Sequence, residues 1–225
     1  DRLHRVGQAA CEPLHRFEHR VVWADGERSV ERIVEQQGRV VFDEAGKPLR
    51  MYGTTTDITE RKHNENLLTQ HNRLLRGLAA INAMLMRETD ETRLMHKVCS
   101  LLVEESQFRM AWIGRVAADG IRVEPIAEAG FEDGYLAGAD IRCDDSPHGM
   151  GPTGSAIRLG TTVTVVDTET DPHFAPWRER ARAQGYRSSA ATPIRLNGKV
   201  IGAINVYCST TAAIGHDIVV FLEKL

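Results

Sequence analysis

The sequence predicts an α+β protein: a small antiparallel sheet, a long helix, and a larger sheet domain flanked by helices. Three observations carry this. The first sixty residues alternate apolar and polar positions between tight-turn signals. From Glu60 to Met86 helix breakers are few, and the seam positions Leu67, His71, Leu74, Leu78, Ile81 and Leu85 fall in a four-three rhythm. Beyond them, helical and strand periods follow in the order helix, strands, short helices, strands, helix.

The chain has 225 residues, enough for two small domains. Hydrophobic residues make up 42% and charged residues 26%, the balance of a globular protein rather than a disordered one. A net charge of −3 argues against a general nucleic-acid binder, which carries a basic excess. No apolar run approaches the roughly 18 residues of a membrane span, and no signal peptide opens the chain. The start at Asp1 and the apolar end at Leu225 suggest a piece of a longer protein. Cys11, Cys99, Cys143 and Cys208 are scattered without paired spacing, as reduced cytoplasmic thiols would be.

In order, residues 1–10 suggest a helical turn ended near Pro13. Residues 17–23 read as a strand followed by the hairpin signal Ala24-Asp25-Gly26. Residues 30–42 read as a second strand with a bulge near Gln37-Gly38, and residues 49–55 as a third after the turn from Asp43 to Pro48. Three such strands bury one face and need a cover. The Ala24-Asp25-Gly26 hairpin, the Asp43–Pro48 turn and the run Gly53-Thr54-Thr55-Thr56-Asp57-Ile58-Thr59-Glu60-Arg61-Lys62 resemble the C-terminal half of a PAS sensor domain. The resemblance implies that Asp57 and Thr59 cap an exit helix. The strands and helices of a PAS ligand pocket are missing, so it implies no PAS ligand here.

In the linking helix the a positions are Asn64, His71, Leu78 and Leu85, and the d positions Leu67, Leu74 and Ile81. Polar a positions fix register and favour a dimer. Gly77 reads as a soft point, since glycine costs about 1 kcal/mol of helix propensity. The alternative is one amphipathic helix lying on its own domain. Thr89-Asp90-Glu91 then caps a helix with Leu94, Val98, Leu101 and Leu102 on its apolar face. Strands follow at 110–116 and 121–129 around Ala118-Asp119-Gly120, and short helices after Thr153 and over 176–184. Further strands fall at 163–166, 190–196 and 199–207, the last two joined by Asn197-Gly198, and a helix runs from Ile214 to the end.

From about Leu78 onward the chain resembles a GAF domain. The carrying pieces are residues 111–114 (Ala-Trp-Ile-Gly), 154–160, 185–189, Pro193-Ile194 and 198–207. The implied organisation is 1–60 as a partial PAS domain, 61–86 as a signalling helix, and 78–225 as a GAF domain with a central antiparallel sheet flanked by helices.

Gly149-Met150-Gly151-Pro152-Thr153-Gly154 matches G-x-G-x-x-G, but no apolar strand precedes it and Pro152 removes an amide. The better reading is a loop that opens a helix at Ser155 and borders the pocket, with amides free for an anionic group. One GAF family, the free methionine sulfoxide reductases, has its catalytic cysteine in this loop. Thr153 stands there instead, and Cys143 and Cys208 offer no evident relay. The cyclic-nucleotide constellation is missing, and Cys143 is followed by Asp144 rather than the His of bilin-binding members. Cys143, Asp144, His148 and His173 are the conceivable metal ligands, but loop histidines are usually just solvated, and no metal is assigned. His15 and His19 alone make no site.

The candidate ligand-binding residues are the aromatics Trp112, Phe131, His173 and Trp177, with Arg158, Arg187 and Asn205 as polar contacts. The alternative for the aromatics is plain core. No cofactor is chosen. The resemblances imply a non-catalytic sensory module of a bacterial cytoplasmic signalling protein, with a histidine kinase or a cyclic-di-GMP enzyme as output. A homodimer is expected through Leu67, Leu74, Leu78, Ile81 and Leu85, with an unidentified small molecule as ligand and no nucleic acid or membrane contact. A GAF-type thiol reductase and a ligand-free dimerisation module are the alternatives.

Overall fold

A computed structural model describes residues 15–25, 28–43, 45–85, 88–106, 108–131 and 133–225. The expected helical turn before Pro13, Gly26 of the first hairpin and the side chain of Leu85 lie outside what is described. The chain divides into two compact units, Asp1–Thr69 and Gln70–Leu225.

In the first unit, β1 (His15–Asp25), β2 (Arg28–Phe42) and β3 (Pro48–Asp57) form an antiparallel sheet in that order. The Asp43 carboxylate accepts from the amides of Ala45 and Lys47, which closes the expected second turn. The bulge expected at Gln37-Gly38 is absent: both residues pair in register, and the irregularity lies at Val41/Phe42. Gly38 is there for close approach instead. A Cβ on it would come within 2.8 Å of the Met51 methyl, and one on Gly53 within 2.7 Å of the Gln37 carbonyl oxygen.

Helix α1 (Thr59–Leu85) starts where Asp57 and Thr59 meet. The Asp57 carboxylate accepts from the Thr59 amide at 2.9 Å and from its hydroxyl at 2.6 Å, while the Thr59 hydroxyl oxygen accepts from the Ile33 amide. An orphan donor of the first turn is thereby satisfied, and the helix is tied to β2. The Thr59 hydroxyl, then its amide, hold the Asp57 carboxyl below the usual carboxylate range. A depressed folded-state pKa contributes stability that is present at neutral pH and lost as pH falls through it. Asp57→Ala is therefore expected to speed amide exchange at the start of α1 at pH 7, and the difference from the parent should shrink in acid. Equal exchange in both proteins at neutral pH would contradict the cap.

In the second unit, α2 (Glu91–Ser106) is capped by the Asp90 carboxylate, which accepts from the Arg93 amide at 2.9 Å. The sheet holds β4 (Met110–Val116), β5 (Val123–Gly130), β6 (Val163–Val165), β7 (Ser188–Leu196) and β8 (Lys199–Cys208). They run antiparallel in the order β5-β4-β8-β7-β6. Between β5 and β8 lie α3 (Pro152–Leu159), a 3-10 helix (Pro172–Trp177) and α4 (Arg178–Gln184). The last helix, α5, covers His216–Leu222 and stops short of the expected end at Leu225. Helix α3 begins three residues before the expected Ser155. Pro152 occupies its first turn, where a missing amide costs nothing, and Gly151 is the N-cap.

Alternation along the strands divides the core in two. Ala111, Ile113, Ala190, Ile204 and Val206 face one side, where α1, α2 and α5 bring Ile81, Leu102 and Phe221. Met110, Trp112, Val165 and Tyr207 face the other, covered by loops, α3, α4 and the 3-10 helix. The first of these layers takes up much of the seam expected for a partner helix. Leu74 and Ile81 are 6% and 1% exposed, and Leu78 packs on the same cluster. The reason is that a heptad stripe and an amphipathic stripe share the same spacing, and the sheet face supplies apolar surface to the nearer claimant. Exposed instead are Leu67 and Leu68 in the first unit and Leu75 in the second.

Gly77 is likewise no soft point. It is buried, and a Cβ on it would stand 2.9 Å from the Ser106 hydroxyl and 3.6 Å from the Phe221 ring. Gly77→Leu is expected to unseat α1 from α2 and α5 at about 1–3 kcal/mol, as overpacking does, read as a fall in thermal midpoint.

Candidate functional site

The loop-covered face of the larger sheet is where the candidate residues were expected to gather. Trp112 and Asn205 lie opposite each other on β4 and β8, so their side chains share this face. Trp112 is fully buried, and its indole N–H points at the Tyr207 hydroxyl at 3.5 Å. Asn205 is buried, and its side-chain oxygen accepts from the Thr153 hydroxyl at 2.7 Å. Trp177, at the end of the 3-10 helix, is buried beside Phe174 and His148.

The other four candidates do not converge with these. Phe131 is 50% exposed and lies under the Arg109 guanidinium, 4.6 Å from ring centroid to Cζ. Arg158, on α3, turns back on the preceding loop and donates to the carbonyls of Asp144, at 2.7 Å, and Gly149. The His173 side chain is exposed, and its backbone amide donates to Asp171. Arg187 pairs with Asp167 at 3.3 Å.

What fills the face is a group of tyrosines the residue pattern did not single out. Tyr135 meets Tyr186 and Tyr207 edge-on at 5.0 and 5.4 Å, and Tyr186 lies 4.6 Å from Tyr207. Burial pushes the Tyr135 and Tyr207 phenols above their ordinary values, so both stay protonated. Tyr135 and Tyr186 come from loops with no periodicity, so pattern could not place them on this face; Tyr186 was marked only as part of the 185–189 piece that carries the GAF resemblance, and Tyr135 by nothing. Tyr207 was accessible to strand alternation, as the residue two past Asn205 on the same strand face.

The space left beside them is small. Walls from Tyr135, His148, Thr153, Phe174, Trp177 and Tyr207 enclose about 10 Å³, at the lower limit for one water molecule. The aromatics are core first.

The glycine-rich loop has a structural account of its own. A Cβ on Gly149 would stand 2.0 Å from the Asp144 carbonyl oxygen, and one on Gly154 would stand 2.2 Å from the carbonyl oxygens of Arg142 and Gly149. A Cβ on Gly151 would enter the Trp177 ring at 2.3 Å. All three glycines permit the loop to fold on itself and on Trp177. The amides of Gly149 and Met150 donate to the Ser146 carbonyl, so they are not free for an anion as expected.

The thiols are quiet. Cys143 Sγ donates toward the carbonyls of Gly120 and Ile121 at 3.4 and 3.3 Å, and burial raises its pKa against the opposing pull of Arg158. Burial pushes Cys99 up to about 12 and Cys208 up to about 11. Among the described residues no three His, Cys, Asp or Glu side chains converge as a metal site would need, and no helix is long and apolar enough to cross a membrane. Raised pKa values mean protonated, weakly nucleophilic thiols at neutral pH, with reactivity rising as pH climbs toward them. In a Cys11→Ser background, an aromatic disulfide reagent is expected to leave Cys99 untouched at pH 7 until the chain is unfolded. Reaction of Cys99 in the native protein within minutes would contradict its burial.

Residues 88–225 match the family model described as GAF domain. The chain belongs to the GAF domain family. The GAF unit is similar in fold to free methionine-R-sulfoxide reductase from Neisseria meningitidis in complex with its substrate, at 20% identity and a TM-score of 0.55 over 67% of this chain and 82% of that one. It is similar to the A. aeolicus nlh2 GAF domain in an inactive state, at 15% identity and a TM-score of 0.54 over 69% and 90%. It is also similar to the GAF domain of an Acinetobacter phosphoenolpyruvate-protein phosphotransferase, at 13% identity and a TM-score of 0.53 over 66% and 85%. At these identities the likeness is one of fold. No curated protein matches the chain.

Proposed function

We propose that this chain is a non-catalytic regulatory module, a partial PAS sheet and a GAF domain joined by α1, from a cytoplasmic bacterial signalling protein. The observation that carries the reading is the state of the thiols around the glycine loop. Thr153 is buried and bonded to Asn205 where the reductases place a cysteine, and Cys143 is protonated and held by backbone carbonyls. Chemistry of the reductase type needs a thiolate with a resolving partner. In the proposed role, a ligand or partner that favours one packing of the GAF sheet on its helices shifts α1, and α1 passes the change to a histidine kinase or cyclic-di-GMP output.

Incubation with free methionine-R-sulfoxide and a dithiol reductant is expected to give no turnover above the protein-free blank. Turnover that disappears in Cys143→Ser would replace this reading with the reductase one.

The homodimer in this proposal uses the exposed leucines of α1 rather than the buried stripe. Leu75→Cys is expected to form a disulfide-linked dimer under mild oxidation, whereas Leu74→Cys, facing the GAF core, is not. Crosslinking at position 74 and not at 75 would reverse the assignment of faces. No crosslink at either, with a monomeric mass in solution, would remove the dimer.

A further inference from the structure

A cavity beside the GAF sheet lies on the helix side, not on the loop side where the aromatic candidates sit. It has a volume of about 490 Å³, within the roughly 300–1,000 Å³ of small-molecule sites. Its inner wall is apolar: Ile81 of α1, Met95 and Val98 of α2, Ile113 and Ile204 of the sheet, and Leu222 of α5. One end is polar. The hydroxyls of Thr162 and Thr192 stand 3.2 Å apart, and Arg195, exposed at the rim, also lines the cavity.

Arg195 is exposed and donates to two backbone carbonyls without being neutralised. Its Nη2 donates to the Gly160 carbonyl at 2.7 Å and its Nη1 to the Gly198 carbonyl at 3.4 Å. A guanidinium has five donors, and no carboxylate among the described residues lies within ion-pair distance of this one. Glu223 is the one acidic side chain on the cavity wall, and it is exposed on the α5 side. An unpaired cation at the rim of an apolar cavity that two hydroxyls also line is complementary to an anionic head on a hydrocarbon tail.

We propose that this cavity binds an amphipathic carboxylate, a medium-chain fatty acid, with its head on Arg195, Thr162 and Thr192 and its tail along Ile81, Val98 and Ile204. Such a ligand contacts α1 directly through Ile81. The site stands whether or not the regulatory reading holds; if it does, the ligand sensed by the GAF unit lies against the linking helix.

Calorimetric titration of the purified chain with decanoate, decan-1-ol and decylammonium, each below its micelle concentration, tests this. Decanoate is expected to bind saturably at one site and about tenfold more tightly than decylammonium, the scale of a charge-assisted hydrogen bond. Arg195→Gln is expected to weaken decanoate by about the same factor and leave decan-1-ol unchanged. Val98→Phe, which fills the chamber, is expected to remove binding of all three, with the thermal midpoint checked to confirm folding. No saturable decanoate binding would overturn the proposal. So would a preference for decylammonium, which would point to Glu223 instead, or an Arg195→Gln protein that binds decanoate as the parent does.

Discussion

Gly154→Ala is expected to lower the stability of the GAF unit by about 3 kcal/mol or more, at the upper end of overpacking costs. The new methyl would stand 2.2 Å from the carbonyl oxygens of Arg142 and Gly149. Both are backbone atoms, and the Gly149 carbonyl also accepts from the Arg158 guanidinium, so neither can rotate away as a side-chain tip would. Relief requires moving the 142–150 loop, which also carries His148 against Trp177. Chemical denaturation followed by near-ultraviolet circular dichroism reads the effect, since Trp177 packs on this loop. A dinucleotide reading of the motif predicts something different: the alanine would abolish cofactor binding and spare the fold. A variant as stable as the parent would return the glycines to a ligand-binding role.

Trp112→Ala is expected to cost about 3–5 kcal/mol, as for large aromatic truncations in a packed core. The indole is fully buried, and a cavity forms where its ring stood. Its loss also leaves the Tyr207 hydroxyl with only Tyr135 within reach among the described side chains. If Trp112 instead lined an open ligand pocket, removing it would enlarge that pocket and change stability little. Because the engineered cavity is apolar and enclosed, indole at millimolar concentration is expected to raise the thermal midpoint of the variant and not of the parent, by mass action. A loss below about 1 kcal/mol, outside the range for buried aromatics, would mean that the face is not packed as described.

These two residues differ in how readable they were. Strand alternation gives the face each of Trp112 and Asn205 shares with its own strand neighbours, while their pairing across β4 and β8 needed the sheet order; the turns at Asp43 and Asn197-Gly198 follow from local chemistry, and Asn197 and Gly198 both take positive φ, 51° and 81°. The Asp57–Thr59 and Asp90 caps are equally local, since a short side chain can reach only the amides two or three residues on. Thr153, in the place of a reductase cysteine, was legible as a residue identity.

What the sequence by itself determined is therefore whatever depends on near neighbours or strict period: the order of elements, their caps and turns, and which residues share a strand face. The tertiary structure alone decided which surface each face meets. Leu74, Leu78 and Ile81 have the spacing for a partner helix and for their own domain alike, and only the nearby apolar sheet selects the second. The tyrosines of the loop face are brought together from positions 135, 186 and 207 by chain folding alone. The glycines at 149, 151 and 154 are explained by atoms from Asp144, Trp177 and Arg142 that approach them in space. Close approach is a non-local property, and no periodicity encodes it.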